Sequence, residues 1–199
     1  MTALRKTPAL STAAAAFAIR SERACDVAGR EALLDACFGA NRHQRTCQRL
    51  RDGRAPAEGL AFSAFHRGRL VGTVRLWHVS AGGVTALVLG PLAVDPNCRK
   101  LGVGAALMGH ALAAAKARGH AAIILLGDAP YYSRFGFSVA KTSELSLPGP
   151  FECNRLLGLE LREDALDGAW GMIVPTGMTA KRPRARATAK AKLATVSMA

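Results

Sequence analysis

One stretch of the chain concentrates residues whose types and spacing suit an anion: Val94-Asp95-Pro96-Asn97-Cys98-Arg99-Lys100-Leu101-Gly102-Val103-Gly104. An apolar strand ends at Val94, Asp95-Pro96-Asn97 breaks it, and a glycine-spaced loop opens a helix. The first amides of a helix have no acceptor within it, and the helix dipole adds partial positive charge at that end. A phosphate is the natural guest of such a terminus. Gly102 and Gly104 let the backbone approach it with no Cβ in the way. Arg99 and Lys100 add positive charge at the rim. Two familiar phosphate loops are excluded. No Gly-Lys-Ser/Thr follows, so this is not a Walker loop. Position 107 is Leu where the dinucleotide fingerprint needs a third glycine, and Asp128 falls beyond the next strand rather than at its usual place. Taken alone, the pair also fits a helix that merely starts on glycine.

The elements that must position this loop read as a mixture of strands and helices. Phe17-Ala18-Ile19-Arg20 can open a sheet. Asp26 reads as the N-cap of a helix in which Val27, Leu33, Leu34, Cys37 and Phe38 recur at helical spacing. Residues 41–58, rich in Arg and Gln, read as an exposed loop or short helix near a site mouth. Residues 60–66 and 70–77 form a hairpin turning on Arg67-Gly68-Arg69. Residues 85–89 and 92–94 form a further strand, and Gly90-Pro91 predicts a bulge or bend within it because proline removes a ladder donor. A helix starts at Val103 and ends near Gly119. Residues 121–126 are a continuous apolar run of the kind found in buried parallel strands. Residues 130–135 read as a short helix, and residues 137–139 and 156–161 as later strands.

The chain has 199 residues, half of them hydrophobic, which suits one compact domain that needs no covalent staples. We divide it into a disordered extension over 1–15, a domain over 16–176 and a basic disordered tail over 177–199. Arg5, Lys6 and a run of four alanines make the N-terminus resemble a signal or transit peptide faintly. Five cysteines with no Cys-x-x-Cys pair argue against a disulfide framework or zinc ribbon, so no metal is expected and a reducing cytoplasm is the simpler setting. The net charge of +13 looks like a nucleic-acid signal, but six of the 27 basic residues lie in 181–199, where there is no acidic residue. With aromatics at only 6%, a nucleic-acid partner is disfavoured and the tail reads as an aid to solubility. No stretch approaches the roughly 20 apolar residues of a membrane span.

The motifs resemble those of a known family. Arg99-x-x-Gly102-x-Gly104 resembles the pyrophosphate-binding signature of the GNAT acetyltransferases, and Val94-x-Pro96 matches its preceding strand end. Tyr132-Ser133-Arg134-Phe135-Gly136-Phe137 resembles the family's second signature, at a spacing that fits one helix and one strand. The runs from Gly90 to Val94 and from Gly127 to Tyr132 look like a bacterial branch of N-acetyltransferases. The resemblance implies an α/β (α+β) fold, with a central mixed, mostly antiparallel sheet splayed between the family's fourth and fifth strands and flanked by helices. It also implies an enzyme that moves acetyl from acetyl-CoA to a primary amine.

Residue by residue, the resemblance implies that the amides of Leu101, Gly102, Val103, Gly104 and Ala105 hold the diphosphate of coenzyme A, with Arg99 and Lys100 beside it. Leu92, Ala93 and Val94 pair with the pantetheine arm as an added strand, and the N–H of Leu92 polarises the thioester carbonyl. Tyr132 acts as general acid to the departing thiolate; the alternative is a packed aromatic. Tyr131 takes the packing position. Asp128 either contacts pantetheine or caps the helix that follows. The expected strand carries no acid for a general base; His66 and His78 lie nearby as surface or packed histidines, or as relays through water. Cys98 is a loop residue, not a nucleophile. The acceptor is a small molecule or a peptide, with small amines, antibiotics, amino acids and protein N-termini or lysines all open, as is a homodimer. The competing class is an acyl-CoA-binding protein without strong catalysis that uses the basic tail to contact nucleic acid.

Overall fold

A computed structural model describes residues 17–180. The expected extension and the tail beyond residue 180 lie outside these residues. Twelve elements follow in order: β1 (Ala18–Ser21), α1 (Val27–Phe38), β2 (Ala61–His66), β3 (Arg69–Ala81), β4 (Val84–Leu89), β5 (Ala93–Val94), α2 (Val103–Ala117), β6 (Ala122–Leu126), α3 (Ala129–Tyr132), β7 (Leu145–Ser146), β8 (Leu156–Glu160) and β9 (Gly171–Pro175). They build one sheet of order β1-β2-β3-β4-β6-β8, antiparallel except where β4 runs alongside β6, with β5, β7 and β9 off this path. This is the mixed, mostly antiparallel sheet the sequence implies.

Side chains alternate across a strand, and β3 shows what each face covers. Val74 and Leu76 join α2 residues Val103, Leu107, Met108, Ala111 and Ala115 in one core. Trp77, Val79 and Ala81 point the other way and pack with Leu50, Leu145, Leu147 and Ile173. On that second face α1 seats Leu33 and Leu34 against Ala93 of β5. Gly72 lets α2 approach: a Cβ there would lie 2.8 Å from Leu107 Cδ1 and 2.9 Å from Val103 Cγ1.

Several local expectations are corrected. Asp26 takes the expected N-cap position of α1, but its carboxylate makes no cap bond to that helix; Arg20 grips it through two hydrogen bonds of 2.6 and 2.8 Å, and the Arg23 amide donates at 2.7 Å. A bidentate charged pair outcompetes a neutral cap. Residues 41–58 hold two 3-10 turns, Ala40–Gln44 and Thr46–Leu50, and Leu50 is fully buried. Residues 137–139 make only the bridge Ser138↔Gly158 before the 3-10 turn Val139–Thr142. β7 and β9 were not foreseen. The chain stays attached past Thr176, with Thr179 bridged to Arg54 and the Ala180 amide donating to Gly53. Among the described residues no helix is long and apolar enough to cross a membrane.

Two outcomes test this packing. Gly72→Ala forces a methyl into the α2 contact and should lower the unfolding free energy by about 1–3 kcal/mol in a urea titration. Asp26 is held at about 2 by the Arg20 hydrogen bonds and the Arg23 amide, against the opposing cost of burial. A depressed carboxyl pKa stabilises the fold above the unfolded value of about 3.9 and loses that effect as pH falls through the folded one. The melting temperature of Asp26→Asn should therefore lie below wild type at neutral pH, and the gap should close between about pH 4 and pH 2.

Candidate active site

The strand that ends at the glycine loop is broken by one extra residue. Leu89 pairs with Leu76 of β3 and Ala93 with Thr73, so three residues, 90–92, face two, 74 and 75. Pro91 has no N–H to give the ladder, and such an insertion is a β-bulge. Its effect is a change of phase. The amides of Gly90 and Asp95 donate to Arg75 and Val71 at 2.8 Å each, so an even position points at β3 before the bulge and odd positions do after it. Leu92 and Val94 therefore turn their amides away from β3, toward β6. There β6 has left: its parallel pairing with β4 covers only Leu87↔Ile123 and Val88↔Ile124, while Leu125 and Leu126 stay with β8. A wedge opens between β5 and the end of β6.

At the end of β5, the 3-10 turn Pro96–Leu101 leads into α2 through Gly102, which is left-handed at φ 76°. α2 has no side-chain N-cap, and the amides of Val103, Gly104 and Ala105 find no acceptor among the described residues. A Cβ at position 104 would lie 3.0 Å from the Tyr131 hydroxyl, 3.5 Å from Val94 Cγ2 and 4.0 Å from Leu92 Cδ2. The opened strand, the bare helix terminus and Tyr131 of α3 thus meet at Gly104. Arg99 and Lys100 are exposed on the turn leading in, and Leu101 is exposed beside them. Cys98 is buried in the core.

The two tyrosines differ. Successive helical residues point about 100° apart, a signal that the pair could not share one role. Tyr131 is not in the core: its hydroxyl reaches the start of α2 and Arg134 lies 4.1 Å from its ring. Tyr132 packs edge-on against Phe137, and Gly127 makes room for its ring, since a Cβ there would lie 2.3 Å from Cε2. Its hydroxyl has no protein partner among the described residues, and burial, with Tyr131 and Asp128 nearby, pushes it up to about 12. Asp128 precedes α3 but its side chain makes no cap bond; its carbonyl accepts from the Tyr131 and Tyr132 amides instead. His78 is distant: it stacks with His120 past the C-terminal end of α2, a helix about 22 Å long. His66 ends β2 at the hairpin turn.

The sequence profile of the Acetyltransferase (GNAT) family matches residues 29–137. The chain belongs to the GNAT acetyltransferase family. It is 31% identical over 157 residues to the N-acetyltransferase YhbS of Escherichia coli K12, across 78% of this chain and 93% of that protein. The crystal structure of E. coli YhbS in complex with CoA superposes with a TM-score of 0.70 at 29% identity, over 87% of this chain and 94% of that one. A GNAT acetyltransferase from Brucella melitensis in complex with acetyl-CoA gives 0.56 at 25% identity, over 83% and 96%.

The face of the GNAT sheet opposite α2 holds residues the sequence did not single out. Arg75 neighbours the bulge, and its guanidinium lies 3.3 Å from Glu22 and 5.4 Å from the Trp77 ring. Glu22 also pairs with Arg30 of α1, Arg30 with Glu31, and Arg42 with both Glu31 and Asp35. The link from Glu22 to Arg75 joins residues far apart in sequence and carries no local signature. Placing a side chain at the convergence point tests the site: Gly104→Val should weaken acetyl-CoA binding at least about tenfold by isothermal titration, about 1.4 kcal/mol, with the melting temperature preserved.

Proposed function

We propose that this protein transfers the acetyl group of acetyl-CoA to a primary amine of a small molecule or peptide by direct attack of the neutral amine on the thioester, with no covalent enzyme intermediate. The observation that carries this reading is the convergence of Leu92 and Val94, the uncapped start of α2 and the Tyr131 hydroxyl at Gly104. The amides of residues 101–105 hold the diphosphate, with Arg99 and Lys100 at its rim. Leu92, Ala93 and Val94 lie along the pantetheine arm, the outward-facing groups of Leu92 and Val94 pairing with it as an added strand would. Asp128, which precedes α3, contacts the pantetheine arm in this reading. All five cysteines are free thiols, which suits work in a reducing cytoplasm.

The amine nitrogen forms a bond to the acetyl carbon, and the carbonyl electrons move to oxygen, where the Leu92 N–H stabilises them. On collapse the carbon–sulfur bond breaks and its electron pair leaves on sulfur. The proton lost by nitrogen ends on the thiol. A phenol raised to about 12 does not surrender its proton to a thiolate whose thiol titrates near about 8.5. Tyr132 therefore acts by donating a hydrogen bond to the departing sulfur. The acidic side chains on the opposite face, Glu22, Glu31 and Asp35, are each ion-paired with arginine, so this reading gives none of them the role of base and has the acceptor arrive as the free amine.

Isothermal titration with acetyl-CoA tests the donor half; a folded sample that takes up no acetyl-CoA refutes it. For the chemical half, Tyr132→Phe should lower kcat about 100-fold, the scale of one lost transition-state donor, while the acetyl-CoA Kd stays within about twofold. With Tyr132 protonated throughout, kcat/KM should rise with deprotonation of the acceptor and show no fall below about pH 10. A fall near neutral pH that Tyr132→Phe removes would show the tyrosine titrating there instead.

A further inference from the structure

Among the described residues, the ion pairs on the face opposite α2 do not take in Arg51. Arg30, Arg42 and Arg75 are matched by Glu22, Glu31 and Asp35 in a continuous chain of contacts. Arg51, half-buried after the turn Thr46–Leu50, makes no ion pair among the described residues; its Nε donates to the Cys47 carbonyl at 3.2 Å. Neighbouring Asp52 is exposed and accepts from Gln48 at 2.6 Å. Burial brings the Arg51 guanidinium down to about 10, still charged at neutral pH. A partly buried cation with no counter-charge is unfavourable unless something supplies one.

Its position says what. Arg51 and Arg75 each lie 5.4 Å from the centre of the Trp77 ring. Trp77 lies against Gly90, where a Cβ would fall 2.0 Å from its Cζ3, so one ring joins both guanidinium groups to the first residue of the bulge. Arg75 Nε is buried with no acceptor. α2 and its core fill the other face of the sheet, whereas this one carries α1 and the Trp77 cluster beside the bulge. A carboxylate matches the guanidinium fork and would satisfy both groups.

We propose that the acceptor carries a carboxylate beside its amine, and that Arg51, with the unpartnered Nε of Arg75, takes up that carboxylate against Trp77. The inference rests on the acetyl-transfer reading above. The carboxylate is unchanged in the reaction; the amine nitrogen gains the acetyl carbon, sulfur leaves with the electron pair, and the nitrogen's proton ends on the thiol.

The test uses the full chain saturated with acetyl-CoA and reads thiol release from matched sets: the L-amino acids, β-alanine and γ-aminobutyrate, each beside its carboxamide and its decarboxylated amine. The carboxylates should be preferred about 10- to 100-fold in kcat/KM, as expected for a charged hydrogen-bonding pair. Arg51→Gln should bring that preference within about threefold, with the loss in KM; Arg51→Lys, which keeps the charge without the fork, should lie between. Circular dichroism and acetyl-CoA titration check that each variant folds, and should one not, the wild-type preference decides alone. Equal turnover of carboxylate and carboxamide overturns the proposal. So does an unchanged preference in folded Arg51→Gln, or no turnover of any carboxylated amine by protein that binds acetyl-CoA. Failure to bind acetyl-CoA at all would remove the transfer reading itself.

Discussion

An antiparallel strand gives its amides alternately to the left and to the right. In an uninterrupted β4–β5 strand the Leu92 amide would close onto β3. The extra residue at Gly90-Pro91-Leu92 reverses the alternation, so β5 stays attached to β3 through Ala93 while Leu92 and Val94 face the open side. Gly90 is required because Trp77 occupies the space of its side chain, and Pro91 suits the one place in the strand that has no donor to give. From that break follow the wedge beside β6, the line of β5 and the point at which α2 is launched.

The two faces of the sheet then take different work. α2 fills one with Leu107, Met108, Ala111 and Ala115 and presents its first amides, uncapped, at the end of β5. The other is held by charge as well as apolar contact: the chain from Arg75 through Glu22, Arg30, Glu31 and Arg42 to Asp35 ties α1 and the following turn to the inner strands. Such a network is costly to desolvate and contributes more to fixing geometry than to stability. What it fixes is the wall that faces the bulge.

Much of this was legible in the residues. Gly102 and Gly104 sit where a left-handed turn and a close approach require glycine, and the proline-marked bulge was read correctly because proline's missing donor is a local fact. Helices α1 and α2 followed from apolar spacing. Asp26 holds the N-cap position read for it, but its carboxylate goes to Arg20, whose position beside it depends on β1. Residues 137–139 have strand character, but only Ser138 meets a partner and the chain turns at Val139. Tyr131 was assigned to packing, yet the turn of α3 aims it at Gly104.

By itself the sequence determined whatever depends on neighbours along the chain: the strand break, the glycine-opened helix, the tyrosine turn, and through their order the family. Only the tertiary structure decided what depends on residues far apart. It turned the Leu92 amide outward, brought Tyr131 to Gly104, and gathered Glu22, Arg30, Arg51 and Arg75 about one face. The physical reason is range: backbone preference acts over a few residues, whereas hydrogen-bond phase between strands and the balance of buried charge are settled only when distant segments pack.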